Sequence, residues 1–398
     1  MKQVLLILTI FMILFSCNSR PADSLPVARE PESNPLTLGA ERMSSYIPLI
    51  RGKNVALAVN HTSVVAGVHL VDTLLNLGIN IKQVFAPEHG FRGAQEAGEL
   101  VKSGIDTKTG LPIISLYGSN KKPTAEQLED IDVVLFDIQD VGVRFYTYIS
   151  TMHYLMEACA ENMKTMLVLD RPNPNGDYVA GPILQEEQKS FVGMHPIPVV
   201  HGLTVGELAT MINGERWLSG EMQCELKVIT MDSYHHQLRY SLPIKPSPNL
   251  PTDQAVRLYP SICLFEGSNI SLGRGTLFPF QVYGHPDFAD SLFSFTPESI
   301  PGMDNNPKFK DQKCYGWDLR NTTAPGFTLK YLINAYNLFE AKDDFFTKYF
   351  HLLSGNKELM QQIKQGLSEQ EISNSWATDL ENYKLIRNDY LLYPDKAP

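Results

Sequence analysis

The sequence predicts an α/β protein: a doubly wound, mainly parallel sheet followed by a smaller α+β domain. Three observations carry this. Short apolar runs alternate with helical periodicity from Asn54 to about residue 230, the pattern of buried parallel strands joined by crossover helices. Several runs stop abruptly in polar side chains, as strands do at the edge of an open sheet where ligands bind. After about Asn249 the alternation gives way to Gly, Pro, Ser and Asn-rich loops and then to helical patterns.

Each element has its own reason. NVALAVN, Gln83–Ala86, Ile113–Leu116, Val133–Ile138, Met166–Leu169 and Leu226–Thr230 are rich in β-branched and aliphatic residues at strand length. Val68–Leu77 and Phe145–Asn162 carry apolar residues at helical spacing. Thr124 with Gln127, and Thr204 with Glu207, have capping-box spacing and open two further helices, the second running to about Asn213. Beyond the loop-rich stretch, Leu329–Leu338, Lys357–Gln365 and Ser368–Asn382 read as helices, and YLLY near the end reads as a strand. The expected organisation is 41–254 for the sheet domain and 255–398 for the smaller one.

The N-terminus stands apart. Lys2 precedes an apolar run from Val4 to Phe15 that is short for a membrane span and has the order of a secretory signal. LFSC resembles a bacterial lipobox, so residues 1–16 are expected to be removed and Cys17 to carry lipid. The polar, proline-rich segment that follows, 17–40, reads as a flexible tether. The expected location is the cell envelope or periplasm, with a membrane contact through the anchor alone. The other cysteines, Cys159, Cys224, Cys263 and Cys314, are far apart and read as buried thiols. At 398 residues with a net charge of −10, the chain lacks the basic balance that nucleic acid or anionic lipid requires. No protein partner is expected.

The strand ends supply the chemistry. VFAPEHGFRG places Glu88 beside Phe85, Ala86 and Phe91, a setting for a proton donor, with His89 and Arg92 to orient it or bind an anion. The ordinary alternative is a structural pair of Glu88 with Arg92. Asp137, Gln139 and Asp140 follow the most apolar strand; Asp137 suits hydroxyl binding, activation of a nucleophile or a divalent metal, whereas Asp140 suits a helix cap. Arg144, Tyr146 and Tyr148 fit an anionic ring-bearing ligand or an aromatic core. Asp170, Arg171, Asn173 and Asn175, stiffened by Pro172 and Pro174, form either a binding loop or a self-satisfied turn. His201 precedes a capped helix, and Glu266, Asn269 and Arg274 share a glycine-rich loop. No GxGxxG, Walker A, GxSxG or HExxH pattern occurs. These absences leave a carboxylate-driven hydrolase as the best enzymatic class, with no cofactor or metal expected; a metal-dependent hydrolase using Asp137 and Asp140 is the weaker reading.

FAPEHGFRG, SLYG, FDIQDVGVRFYTYISTM, LDRPNPNG, PIPVVHGLTVGELA, PSPNLPT and YPSICLFEGSNISLGRGT, in this order, resemble the exo-β-N-acetylmuramidase family NamZ. The resemblance runs from about Arg51 to the C-terminus. It implies a Rossmann-like N-terminal domain, a smaller C-terminal domain and a cleft between them. It also implies hydrolytic release of terminal non-reducing N-acetylmuramic acid from murein fragments. Glu88 matches the family's EHG glutamate as the acid, and Asn249 in PSPNLPT joins the expected substrate-binding set. Asp137 is the catalytic candidate beside Glu88, while the second role stays open between a direct nucleophile, a base for water and the substrate's own acetamido group. The lactyl carboxylate of a muramyl sugar calls for a cation, and Arg92, Arg144 and Arg274 are available. One position departs: the family usually has glutamate where this chain has Leu272. That departure motivates an alternative, a murein-fragment binding lipoprotein without catalysis.

Overall fold

The computed structural model describes residues 35–88, 90–92 and 103–396. The strands are β1 (Asn54–Val59), a small hairpin of β2 (Val64–Val65) and β3 (Val68–His69), β4 (Asn80–Ala86), β5 (Gly104–Ile105), β6 (Pro112–Ser115), β7 (Val133–Asp137), β8 (Thr165–Leu169), β9 (Glu225–Ile229), β10 (Val282–His285), β11 (Phe293–Phe295) and β12 (Cys314–Asp318). The helices are α1 (Met43–Ile50), α2 (Leu70–Asn76), α3 (Ala125–Leu128), α4 (Tyr148–Glu161), α5 (Val205–Gly214), α6 (Asp253–Ile262), α7 (Lys330–Leu338), α8 (Phe350–Ser354), α9 (Glu358–Lys364), α10 (Glu369–Ser375) and α11 (Ala377–Asn388).

The central sheet has the order β5-β6-β4-β1-β7-β8-β9. Every pairing in it is parallel except β5 with β6, which is antiparallel at the edge. Renumbered among the parallel strands alone, the order is the 3-2-1-4-5-6 of a doubly wound sheet, reversing between β1 and β7. The apolar runs fix this because they are buried on both faces; β7 and β8 have no exposed position. Both capping boxes form, with the Thr124 and Thr204 hydroxyls accepting from the Gln127 and Glu207 backbone N–H groups.

Residues Leu36–Pro398 make one compact unit. Its largest apolar core runs without a break from Ala56 on β1 to Tyr383 on α11. An antiparallel sheet, β10-β12-β11, lies in the C-terminal part.

Some expectations need correction. YLLY forms no strand: Tyr390–Tyr393 run as turn and bend, with the Tyr393 hydroxyl buried against Asp170 at 2.6 Å. The helix expected at Ser368–Asn382 is two, α10 and α11, broken at Trp376. The stretch after Asn249 contains α6, capped by the Thr252 hydroxyl accepting from the Ala255 N–H. Val68 and His69 belong to the hairpin, so α2 starts later than its apolar spacing implied. The end of the expected tether is packed: Thr37 exchanges backbone bonds with Asp232, the Gly39 N–H donates to the Asp170 carbonyl, and Ala40 is buried. Cys159, Cys224, Cys263 and Cys314 are buried free thiols. Among the described residues no helix is long and apolar enough to cross a membrane.

Candidate active site

Beyond the carboxyl ends of β4, β6 and β7 opens a cavity of about 700 Å³. Glu88, Tyr117 and Phe145–Tyr148 line it from the sheet side. Ser247, Asn249, Tyr259, Glu266, Leu272, Arg274, Asp304, Lys308 and Tyr349 are among those that close it from later in the chain.

Glu88 sits two residues past β4, where Pro87 cannot donate a ladder bond and the strand has ended. Its carboxylate accepts from the Tyr117 hydroxyl at 3.1 Å on one oxygen and from the Thr147 hydroxyl at 3.4 Å on the other. Burial, and then the nearby Glu88 charge, push the Tyr117 phenol pKa up, so Tyr117 stays protonated and keeps donating. The Tyr148 hydroxyl reaches the Glu88 carbonyl at 3.5 Å. Two hydroxyls, from the ends of β6 and the start of α4, thus fix one carboxylate in the cavity wall.

The far wall carries the charge. Arg274 Nε donates to Glu266 Oε1 at 2.6 Å, and its guanidinium lies 5.1 Å from the centre of the Phe280 ring. Burial works against the Arg274 charge, but the Glu266 carboxylate more than offsets it and raises the pKa. Tyr146 donates its hydroxyl to the Pro246 carbonyl at 2.8 Å while its ring faces Tyr148 and Tyr259 edge-on. Asn249 donates to the Met303 carbonyl at 2.9 Å, and buried Leu272 makes that part of the wall apolar.

Of the residues expected at the site, Glu88, Tyr146, Asn249, Glu266 and Arg274 meet at this cavity. Tyr148 lines it as well; the other expected residues that are described do not. Asp137 is fully buried and held by both Nε and Nη2 of Arg171, so the two charges satisfy each other instead of serving a ligand. The Gln139 amide donates to the Asp140 and Pro172 carbonyls. Gln139 and Arg171 border a separate cavity of about 470 Å³ with Leu38, Thr62 and Tyr240.

Arg144 is fully buried, donating to the Pro182, Ile197, Leu353 and Ser354 carbonyls, which removes it from anion binding. Arg92 forks onto Asp106 at 2.8 and 3.1 Å, and its guanidinium holds Asp106 down to about 2. Asp170 accepts from the Arg171 and Gly206 N–H groups and from the Thr204 and Tyr393 hydroxyls, anchoring the start of α5. Burial still pushes its pKa up to about 6.

Asn173 donates to the Leu203 carbonyl and accepts from the Asn175 N–H, closing its own loop. His201 is buried, accepts from the Leu203 N–H, and burial pushes its pKa down to about 3. Asn269 donates to the Asp344 carbonyl. Asp140 accepts from the Gly142 N–H, so it braces a turn and does not cap α4. His89 lies outside the described residues, as does Cys17.

Sequence reasoning missed Tyr117, Thr147, Asp304, Lys308 and Tyr349. Tyr117 was findable, since it follows the β6 run as Glu88 follows β4. Asp304 and Lys308 sit in a loop with no periodic signal. Among the described residues no cluster of His, Cys, Asp and Glu is placed to hold a metal ion.

Residues 55–254 match the family described as Exo-beta-N-acetylmuramidase NamZ, N-terminal, and 257–393 its C-terminal counterpart. The chain belongs to the NamZ family. A relative in Bacillus subtilis (strain 168), peptidoglycan beta-N-acetylmuramidase NamZ, is 37% identical over 97% of each chain. Two crystal structures of DUF1343 family proteins from Bacteroides fragilis NCTC 9343 share the fold. One has 48% identity and a TM-score of 0.85, covering 91% of this chain and 100% of that one. The other has 30% identity and a TM-score of 0.79, covering 90% and 99%. The NamZ match spans both the sheet that carries Glu88 and the segment that carries Glu266, Leu272 and Arg274.

Proposed function

We propose that the chain is an exo-acting glycoside hydrolase that releases terminal non-reducing N-acetylmuramic acid from peptidoglycan fragments, with Glu88 as the proton donor. The observation that carries the reading is the Glu88 carboxyl, oriented by Tyr117 and Thr147 in a cavity that also holds Arg274. The relative from Bacillus subtilis, whose name states this activity, supports the substrate class. In the reaction Glu88 gives its proton to the glycosidic oxygen as the bond from C1 breaks. Water completes the displacement at C1, directly or after attack by the sugar's own acetamido oxygen. Tyr146 and Tyr259 offer aromatic surface to a sugar ring. Of the three arginines considered for the lactyl carboxylate, Arg274 is the one at the cavity.

The test is release of free N-acetylmuramic acid from a muramyl-terminated disaccharide. Glu88→Gln should lower kcat by about 100-fold or more while the variant still binds substrate. Tight binding of intact disaccharide by the wild type, without turnover at any pH, would instead support the binding lipoprotein that Leu272 motivates.

We also propose export and lipid attachment at Cys17, on the strength of the LFSC sequence after an apolar run. Labelled palmitate should enter the wild type, and Cys17→Ser should abolish labelling and free the protein from the membrane fraction. Labelling that persists in Cys17→Ser would refute the anchor.

A further inference from the structure

The loop 304–308 brings a second cation to the cavity. Lys308 is half-buried, lines the same wall as Arg274, and donates to the Ser268 carbonyl. An ammonium has three N–H donors, and this is the one bond from Lys308 to a described residue. Glu266 is the carboxylate that acts on both cations: it bonds Arg274 directly and partly offsets the burial that lowers the Lys308 pKa. Its bond to Arg274 is made to Nε, which leaves the guanidinium's outer edge toward the cavity without a partner among the described residues. Asp304, in the loop itself and on the same cavity lining, accepts from the Asn306 N–H. The cavity lining thus carries two cations, Arg274 and Lys308, among the carboxylates Glu88, Glu266 and Asp304. Of the two cations only Arg274 is ion-paired to a described carboxylate; the Lys308 ammonium bonds a carbonyl alone in a partly desolvated wall. Leu272 and Phe280 lie beside them.

We propose that Lys308 and Arg274 form an anion subsite on either side of Glu266, and that Lys308 sets the preference for a sugar bearing a carboxylate over a neutral one. This inference rests on the glycosidase reading and names the group in it that reads the acid. A carboxylate placed there accepts from the Lys308 ammonium and from the outer edge of Arg274, giving Lys308 the ion pair it otherwise has with no described residue. Leu272 and Phe280 meet the apolar part of the ether substituent that carries it. A sugar without the acid leaves the Lys308 ammonium with its carbonyl bond alone.

The experiment compares a muramyl-terminated disaccharide as the free lactyl acid and as its methyl ester, in the wild type, Lys308→Met and Lys308→Arg. Calorimetric titration with free N-acetylmuramic acid and N-acetylglucosamine runs alongside. The wild type should favour the acid by about 10- to 100-fold in kcat/KM, mainly through KM. Lys308→Met should erase most of that preference by lowering kcat/KM for the acid far more than for the ester, and Lys308→Arg should restore part of it. The same loss should appear in the calorimetric preference for N-acetylmuramic acid. Preference retained in Lys308→Met, or acid and ester falling together, would overturn the proposal. Absence of turnover by the wild type would overturn the glycosidase reading alone, because the calorimetric preference still reads the subsite.

Discussion

Arg144 offers the sharpest test of how the fold is held together. Its guanidinium donates to four main-chain carbonyls, those of Pro182 at 2.7 Å, Ile197 at 2.8 Å, and Leu353 and Ser354 at 2.9 Å each. It thereby joins the segment after β7 to the end of α8. Arg144→Met keeps much of the volume and removes every donor. The Ile197 carbonyl keeps the Leu184 N–H, so three acceptors are stranded at about 1–3 kcal/mol each; partial relaxation reduces the sum, and the expected loss is about 3–6 kcal/mol. That is a large share of the roughly 5–15 kcal/mol that stabilises an ordinary domain. Denaturant titration followed by circular dichroism should show a lower midpoint with an unchanged slope. Arg144→Lys, whose ammonium has three donors, should fall between the two. A loss under about 1 kcal/mol in Arg144→Met would refute the view that these carbonyls depend on the guanidinium.

Three other outcomes follow from the geometry. Tyr117→Phe removes the hydroxyl at 3.1 Å from Glu88 and should lower kcat by about 10- to 100-fold with KM little changed; an unaltered kcat would show that Glu88 needs no such orientation. Gly142 has φ +75°, and a Cβ there would stand 2.0 Å from Asn173 Oδ1, so Gly142→Ala should cost about 2 kcal/mol or more in thermal or chemical unfolding. His201 is depressed to about 3 by burial and then by the Arg387 and His236 charges, so its native imidazole stays neutral where the unfolded chain takes up a proton. Its contribution is full above about pH 6.5 and declines by about 1.4 kcal/mol per pH unit as pH falls toward the native value. The His201 ring resonances of the native protein should not titrate between about pH 8 and about pH 5; an inflection near pH 6 would contradict its burial.

The central sheet was legible because strands buried on both faces must be written as unbroken apolar runs, as in VVLFD of β7 and TMLVL of β8. Helix starts with capping chemistry were equally readable at Thr124 and Thr204. The C-terminal part was harder, since α6 begins directly after a proline-rich stretch and carries Pro260 within it. At the site, Glu88 was legible as a carboxylate at a strand end, but the same reasoning also selected Asp137, Asp170 and His201. Sequence placed these polar groups at one edge of the sheet without saying which of them would find one another. Asp137 and Arg171, 34 positions apart, form a closed pair, and Arg144 turns to carbonyls as far away as Ser354.

The Asp137–Arg171 pair carries one more implication. It lies beside the point where strand order reverses, the spot at which sheets of this winding usually receive a nucleotide. That spot keeps a cavity of about 470 Å³ beside Arg171, whereas the larger cavity, with Glu88, lies at the ends of β4 and β6, where the sheet supplies only half a vessel. The missing half arrives from beyond residue 245, so a fragment truncated at residue 254 would retain Glu88 yet lack most of the chamber around it.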